Sequence, residues 1–153
     1  MIKLQEMTHI SFKAYSDKAI DKIAREYVLA GYLSEDNAFL YTKKLFEDLL
    51  PNGINTQNQF LYDIIDEDKN AIGMIWYMVR PNGEGFICDF IINEQYRGKG
   101  YGKKALELVE SNAREKGIKK MLLHVFNHNK VAIALYEKMG YSPYSIQMAK
   151  ELK

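Results

Sequence analysis

Asp89 stands between "FIC" and "FII", a carboxylate inside an apolar run, and the same run leads to "NEQYRGKGYGKK", where Gly98, Gly100 and Gly102 occupy alternate positions. A carboxylic acid in such a setting is either satisfied by nearby hydrogen-bond donors or kept for proton transfer. Glycines between the end of a strand and the start of a helix let the backbone turn tightly. They also aim several N–H groups at one point beside the positive end of the helix dipole, which is a geometry for phosphate. An ordinary strand-to-helix turn uses the same residues, so the spacing alone leaves both readings open. Arg97, Lys99, Lys103 and Lys104 add cations around this point. Arg97 and Lys99 are the better contacts, because a cation within the first helical turn opposes the dipole unless an anion lies nearby.

Two familiar phosphate loops do not fit. The residue five before Gly102 is Arg97 and the one after Lys103 is Lys104, which breaks the triphosphate-binding pattern G-x-x-x-x-G-K-[ST] twice. The dinucleotide pattern G-x-G-x-x-G fails as well, and the strand before these glycines closes a meander rather than opening a β-α-β unit.

The whole chain narrows the chemistry further. With 153 residues it holds one domain's worth of core, and 21 Lys and Arg against 20 Asp and Glu leave a formal charge of +1. No global field then draws the protein to nucleic acid or anionic lipid, and any anion site is local. Cys88 is the only cysteine, and His9, His124 and His128 form no zinc motif, so no metal is expected. The N-terminal "MIKLQEMTHI" has no apolar secretion core, and "AIGMIWYMV" is too short to span a bilayer; a soluble, cytoplasmic protein is expected.

The elements that must position these groups follow from periodicity. A short strand near Ile2–Gln5 precedes helical stretches over 9–30 and 35–50, the second capped by Ser34. "FLYDIID", "AIGMIWYMVR" and "GFICDFIIN", separated by "EDKN" and "PNGEG", read as an antiparallel meander. Residues 100–116 carry apolar positions at helical spacing and stop at Gly117. "KKMLLHVF" then reads as a strand, "NKVAIALYEKMG" as a helix and "YSIQMAKEL" as a last strand. The predicted order is β-α-α-β-β-β-α-β-α-β, a mixed sheet covered by helices in an α+β or α/β fold, with 1–153 as a single domain.

"QYRGKG" and "RGKGYG" both resemble the Q/R-x-x-G-x-G/A signature of the GNAT superfamily of N-acetyltransferases. "NHNKVAIALYEKMGY" resembles the second hallmark of that superfamily, an N-x-x-A-x-x-L-Y-E-x-x-G-[FY] helix about thirty residues after the glycines. The likeness covers roughly residues 59–150. It implies the GNAT fold, with a central sheet of about six to seven strands flanked by about four helices, and acetyl-CoA as cosubstrate. It further implies that the loop from Arg97 through Gly98, Lys99, Gly100, Tyr101 and Gly102 holds the pyrophosphate, and that the strand end at Ile91 and Ile92 pairs with the pantetheine arm. Asn129 would contact the cofactor or the acceptor path, and Tyr136 would lie beside the sulfur.

Residue chemistry constrains the roles. An acceptor amine of pKa about 10.4 is only roughly 0.1% neutral at physiological pH, so some group must take its proton. Asp89 is the first candidate for base or amine anchor; Glu84 is held in reserve because some members of the superfamily carry a glutamate upstream on this strand. His124, in "LLHVF", could also accept a proton, though a half-buried strand histidine bonded to backbone explains it as well. A phenol of pKa about 10 facing a thiol of about 8.5 favours a hydrogen bond from Tyr136 to the leaving sulfur over full proton transfer. Cys88 should point to the face opposite Asp89 and belong to the core. Glu26, Tyr27, Tyr32, Glu35, Asp36 and Tyr41 are acidic and aromatic groups suited to a cationic acceptor, a small molecule or a peptide. A CoA-binding sensor or scaffold without turnover is the alternative function, and a homodimer through the last strand is left open.

Overall fold

The computed structural model describes residues 1–153. Its elements are β1 (Lys3–Glu6), α1 (His9–Leu29), α2 (Glu35–Leu49), β2 (Gln59–Ile65), β3 (Ala71–Val79), β4 (Gly85–Ile92), α3 (Tyr101–Glu115), β5 (Met121–Leu123) and α4 (Lys130–Lys138), with single 3-10 turns at Gly53–Asn55 and Glu94–Tyr96. No helix is long and apolar enough to cross a membrane.

Local chemistry sets the helix ends. Thr8 caps α1 through a reciprocal box: its Oγ1 accepts from the Ser11 N–H at 3.0 Å, and the Ser11 Oγ accepts from the Thr8 N–H at 3.0 Å. Ser34 stands at the N-cap of α2 but makes no capping bond with its side chain, whose Oγ instead accepts from Asn37 Nδ2 at 3.2 Å. Glu35 and Asp36 in the first turn compensate, since carboxylates there favour the dipole.

The sheet runs β1-β2-β3-β4-β5, antiparallel except for the last pair. Both faces of β3 are covered, so its residues alternate between two cores. Met74 and Trp76 face α1 and α2, with Ala19, Phe46 and Leu61. Ile75 and Tyr77 face α3, with Leu106, Val109 and Ala113. Each wholly enclosed aliphatic side chain among these contributes about 1.5–3 kcal/mol. On the α3 side, Tyr62 and Tyr77 both donate their hydroxyls to Asn112 Oδ1, Tyr62 at 3.3 Å, and Lys116 Nζ reaches the same oxygen at 3.0 Å.

One irregularity decides which face of the sheet Cys88 takes. Trp76 pairs with Asp89 but Tyr77 pairs with Ile87, so Cys88 is the surplus residue of a β-bulge. Strict alternation would put Cys88 and Asp89 on opposite faces, as expected above. The bulge places both on the α1/α2 face: Cys88 packs against the core containing Trp76, and Asp89 is bonded to Tyr15 of α1. The parallel pairing of β4 with β5 covers only Gly85 to Ile87 and ends where the bulge begins.

The expected strand count is corrected to five. β5 is limited to Met121–Leu123, leaving His124 exposed beyond its end rather than half-buried within it. The expected last strand is absent: no residue from Ser142 to Lys153 makes a backbone hydrogen bond, and Tyr144, Ile146, Met148 and Leu152 are 68%, 77%, 88% and 87% exposed. Pro143 lacks an N–H and biases Ser142 to extended backbone as the chain leaves α4, and the residues beyond it pair with no strand.

Candidate active site

The glycine loop follows the 3-10 turn at the end of β4. Gly98 and Gly100 have φ of 75° and 82°, and a Cβ built on either would touch nothing, so backbone conformation alone requires glycine there. Gly102 serves a different need: a Cβ would lie 3.1 Å from Leu135 Cδ2, so its absence lets α3 approach α4 closely. The result is a run of amides without partners. The N–H groups of Gly98, Lys99, Gly100, Tyr101, Gly102 and Lys103 donate to no acceptor in the protein, whereas the Arg97 N–H is already bonded to Glu94 O. They converge at the N-terminus of a fifteen-residue helix, where partial positive charge accumulates. Arg97 braces the loop, its Nε donating to Ile92 O at 2.8 Å. Lys99 Nζ lies 6.0 Å from the Tyr96 ring centroid. The Tyr101 side chain packs beneath the loop beside Ile64, Ile72 and Ala105.

Ile91 and Ile92 turn their side chains into opposite cores, and β4 has no partner on the β5 side beyond Ile87. An open strand edge therefore leads to the amide cradle. At the head of that edge, Asp89 Oδ2 accepts from the Tyr15 hydroxyl at 2.6 Å, and Oδ1 accepts from the Phe90 N–H at 3.0 Å. Burial raises the Asp89 pKa, against the lowering effects of the Tyr15 bond, the Lys22 charge and the Phe90 amide. Tyr15 is itself raised well above the usual phenol range by burial and the Asp89 charge, so it stays a donor. Burial and the same carboxylate push the Cys88 thiol up to about 12, which keeps it protonated and leaves it a core side chain.

Tyr136 of α4 faces Asp89 across the opening. Burial, then the Asp89 charge, push its pKa up to about 12, and its hydroxyl has no hydrogen-bond partner. Asn129 caps α4, its Oδ1 accepting from the Ala132 N–H at 3.3 Å, while its amide nitrogen makes no hydrogen bond within the protein. Glu84 lies apart from this group. It precedes β4, accepts from Asn82 Nδ2 at 2.6 Å and pairs with Lys120 at 3.5 Å; these contacts lower its pKa, and Asp89 is left as the carboxylate at the opening.

An aromatic group joins α1 and α2 to the loop after β5. Tyr27 packs against Tyr32, Tyr41 and Phe126 at centroid distances of 5.5, 5.6 and 5.5 Å, and Phe126 in turn contacts His124 at 4.9 Å and His128 at 5.7 Å. Burial raises the pKa of Glu26, with the Lys22 charge opposing and the Asp89 charge adding. Glu35 and Asp36 remain exposed in the first turn of α2. Sequence reasoning missed Tyr15, Lys22 and Phe126. Tyr15 carries no local signal, because its partner is 74 residues away; only the need of a buried carboxylate for a donor pointed to such a residue. No cluster of His, Cys, Asp or Glu could hold a metal ion.

A run of free amides thus follows an open strand edge, with a carboxylate of raised pKa in the same strand and an unpartnered phenol on α4 near enough to feel its charge. Comparison with known proteins agrees in kind. Residues 20–141 match the family described as Acetyltransferase (GNAT) family. The uncharacterized N-acetyltransferase YycN of Bacillus subtilis is 38% identical over 99% of both chains, and the uncharacterized N-acetyltransferase YdgE of the same organism is 34% identical over 97% of both. The crystal structure of YycN superposes on all of this chain with a TM-score of 0.95. A Bacillus anthracis protein crystallised with acetyl coenzyme A is similar over 55% of this chain and 48% of its own, at 28% identity and a TM-score of 0.50.

Proposed function

Because the chain belongs to the GNAT acetyltransferase family, we propose that it transfers the acetyl group of acetyl-CoA directly to a primary amine, with residues 1–153 acting as one catalytic domain. The observation that carries this reading is the run of six unpaired amides from Gly98 to Lys103 beside an unpaired strand edge. The amides and the α3 dipole suit a diphosphate, with Lys99 adding charge and Arg97 holding the loop in shape. The edge at Ile91 and Ile92 suits the amide groups of a pantetheine arm, and the Asn129 side-chain nitrogen, which makes no bond within the protein, is assigned to the cofactor or the acceptor path.

The acceptor enters from the side of Glu26 and the Tyr27 aromatic group, whose negative charge and ring faces favour an ammonium. Asp89 takes the proton, directly or through a water; its raised pKa makes it a stronger base than an exposed carboxylate. Tyr15 fixes the orientation of Asp89 by holding Oδ2. The amine then attacks the thioester carbonyl, the C–S bond breaks, and the thiolate leaves with a hydrogen bond from Tyr136. With Tyr136 near 12 and a thiol near 8.5, complete transfer of its proton would be uphill by several kcal/mol, so the hydrogen bond is the contribution.

The test incubates the protein with acetyl-CoA and a panel of amines, following free thiol and identifying products by mass. Thiol release that depends on an amine, with a product heavier by one acetyl group, is expected. Tight acetyl-CoA binding with no turnover on any amine would favour a sensor or scaffold; no binding in calorimetry would remove the cradle as well.

A further inference from the structure

Lysine precedes a carboxylate by four residues at four places on α1 and α2. Lys13–Asp17 and Lys44–Asp48 close into ion pairs at 3.2 and 3.3 Å. Lys43 and Glu47 stay apart with both side chains exposed to water, which carries little penalty. Lys22 and Glu26 stay apart as well, but Glu26 is half-buried, and its carboxylate has neither an ion pair nor a hydrogen bond within the protein. A charge withdrawn from water without a partner carries a desolvation cost that a counter-charge would offset. Beside it, Tyr27 packs against Tyr32, Tyr41 and Phe126, and Tyr32 and Tyr41 are 50% and 44% exposed, so ring surface remains open next to the carboxylate. Glu26 shares one stripe of α1 with Lys22 and Tyr15, and it is Tyr15 that donates to Asp89. The charges agree with this placement: Asp89 raises the pKa of Glu26, and Glu26 in turn raises that of Tyr27. Lys22 and His128 act on Glu26 in the other direction, but both are exposed and hydrated. The acceptor side therefore carries two anionic centres, and the proton transfer assigned to Asp89 uses one of them.

We propose that Glu26 and the rings of Tyr27, Tyr32 and Tyr41 bind a second ammonium group of the acceptor, so that the preferred substrate is an aliphatic diamine and Glu26 determines that preference. The proposal rests on the acetyl transfer proposed above and names the class of amine it serves. One end of the diamine gives its proton to Asp89 and attacks the thioester carbonyl. The other end stays protonated, its N–H groups directed to Glu26 and its charge against the ring faces. Glu26 stands eleven residues beyond Tyr15, about 16 Å along the axis of α1, so the two amines need a spacer of several carbons. After transfer, the product retains one ammonium, which can answer Glu26 or Asp89 but not both. A single acetylation therefore ends the reaction.

The test measures initial rates of thiol release from acetyl-CoA with diamines, diaminoethane through diaminooctane, and with amino alcohols of equal length, in which a hydroxyl replaces the second ammonium. For the best diamine, kcat/KM should exceed that of its amino alcohol at least about tenfold, and Glu26→Gln should lower this ratio at least about fivefold. The thermal shift given by acetyl-CoA checks that the variant is folded. Mass spectra should show one acetyl group on the diamine. A wild-type ratio below about tenfold at every length, a ratio that Glu26→Gln lowers by less than about fivefold, or a second acetylation as fast as the first would each overturn the inference and leave acetyl transfer standing. No thiol release with either class of amine would remove the proposed reaction, and this inference with it.

Discussion

Two groups of buried tyrosines flank the sheet of this protein, and they are built on opposite principles. On the α3 side, Tyr62 and Tyr77 aim their hydroxyls at Asn112 Oδ1, which Lys116 also reaches; the cluster closes on itself. Around Asp89, Tyr15 donates at 2.6 Å, but Tyr136 has no partner and Glu26 has neither hydrogen bond nor ion pair. A satisfied polar cluster fixes packing and registers the sheet against a helix. An unsatisfied one beside an opening holds its hydrogen-bonding capacity for something that arrives. The contrast supports the reactive role proposed for the second group without reference to any relative.

Substitution can break the distinction. Asp89→Asn should lower kcat/KM by about 10²- to 10⁴-fold, the usual worth of a positioned proton acceptor, with acetyl-CoA affinity nearly unchanged in calorimetry. Asn112→Ala should do the reverse: two tyrosine hydroxyls lose their acceptor, stability falls by roughly 2–4 kcal/mol in urea unfolding, and kcat of the folded fraction stays near wild type. If Asn112→Ala instead lowered kcat as much as Asp89→Asn, the two clusters would not differ in kind. Tyr136→Phe removes one hydrogen bond to a developing negative charge, so a loss of about 10- to 100-fold in kcat is expected, visible in single-turnover thiol release and with little change in KM.

The smallest effect is in pH. The folded-state pKa of Asp89 lies above its ordinary 3.8, so between those two values the folded chain binds more protons than the unfolded one. The Asp89 contribution to stability is then present at low pH and lost as pH rises through the folded value. Thermal unfolding should show wild type gaining on Asp89→Asn as pH is lowered from neutral. Activity has the opposite dependence, since the base must be ionised: kcat/KM should fall with acidification at a pH above that of an exposed carboxylate.

Much of this arrangement was readable before any coordinates. The helices of residues 9–30 and 35–50, the three-strand meander and the helix after the glycines rest on periodicity and turn residues, both local signals, and the structure reproduces them within a residue or two. The glycines were found together, but their division of labour was not. Positive φ at Gly98 and Gly100 and contact with Leu135 at Gly102 look alike in a one-letter string. Tyr15 was missed because its role depends on a partner far along the chain. Cys88 was assigned the wrong face because alternation assumes that every strand residue has an opposite number. The last strand was expected from a pattern that is present in the sequence, but a pattern states what a segment could bury and not whether a neighbouring strand lies beside it.

Cys88 contributes a core contact and no reactivity; its larger consequence is one of length. β4 carries one residue more than β3 opposes, and its ladder with β5 stops at Ile87, where that surplus begins. Deleting the residue should keep Asp89 opposite Trp76 while letting the two strands pair farther, so that the protein would retain its carboxylate and lose the open edge beside it.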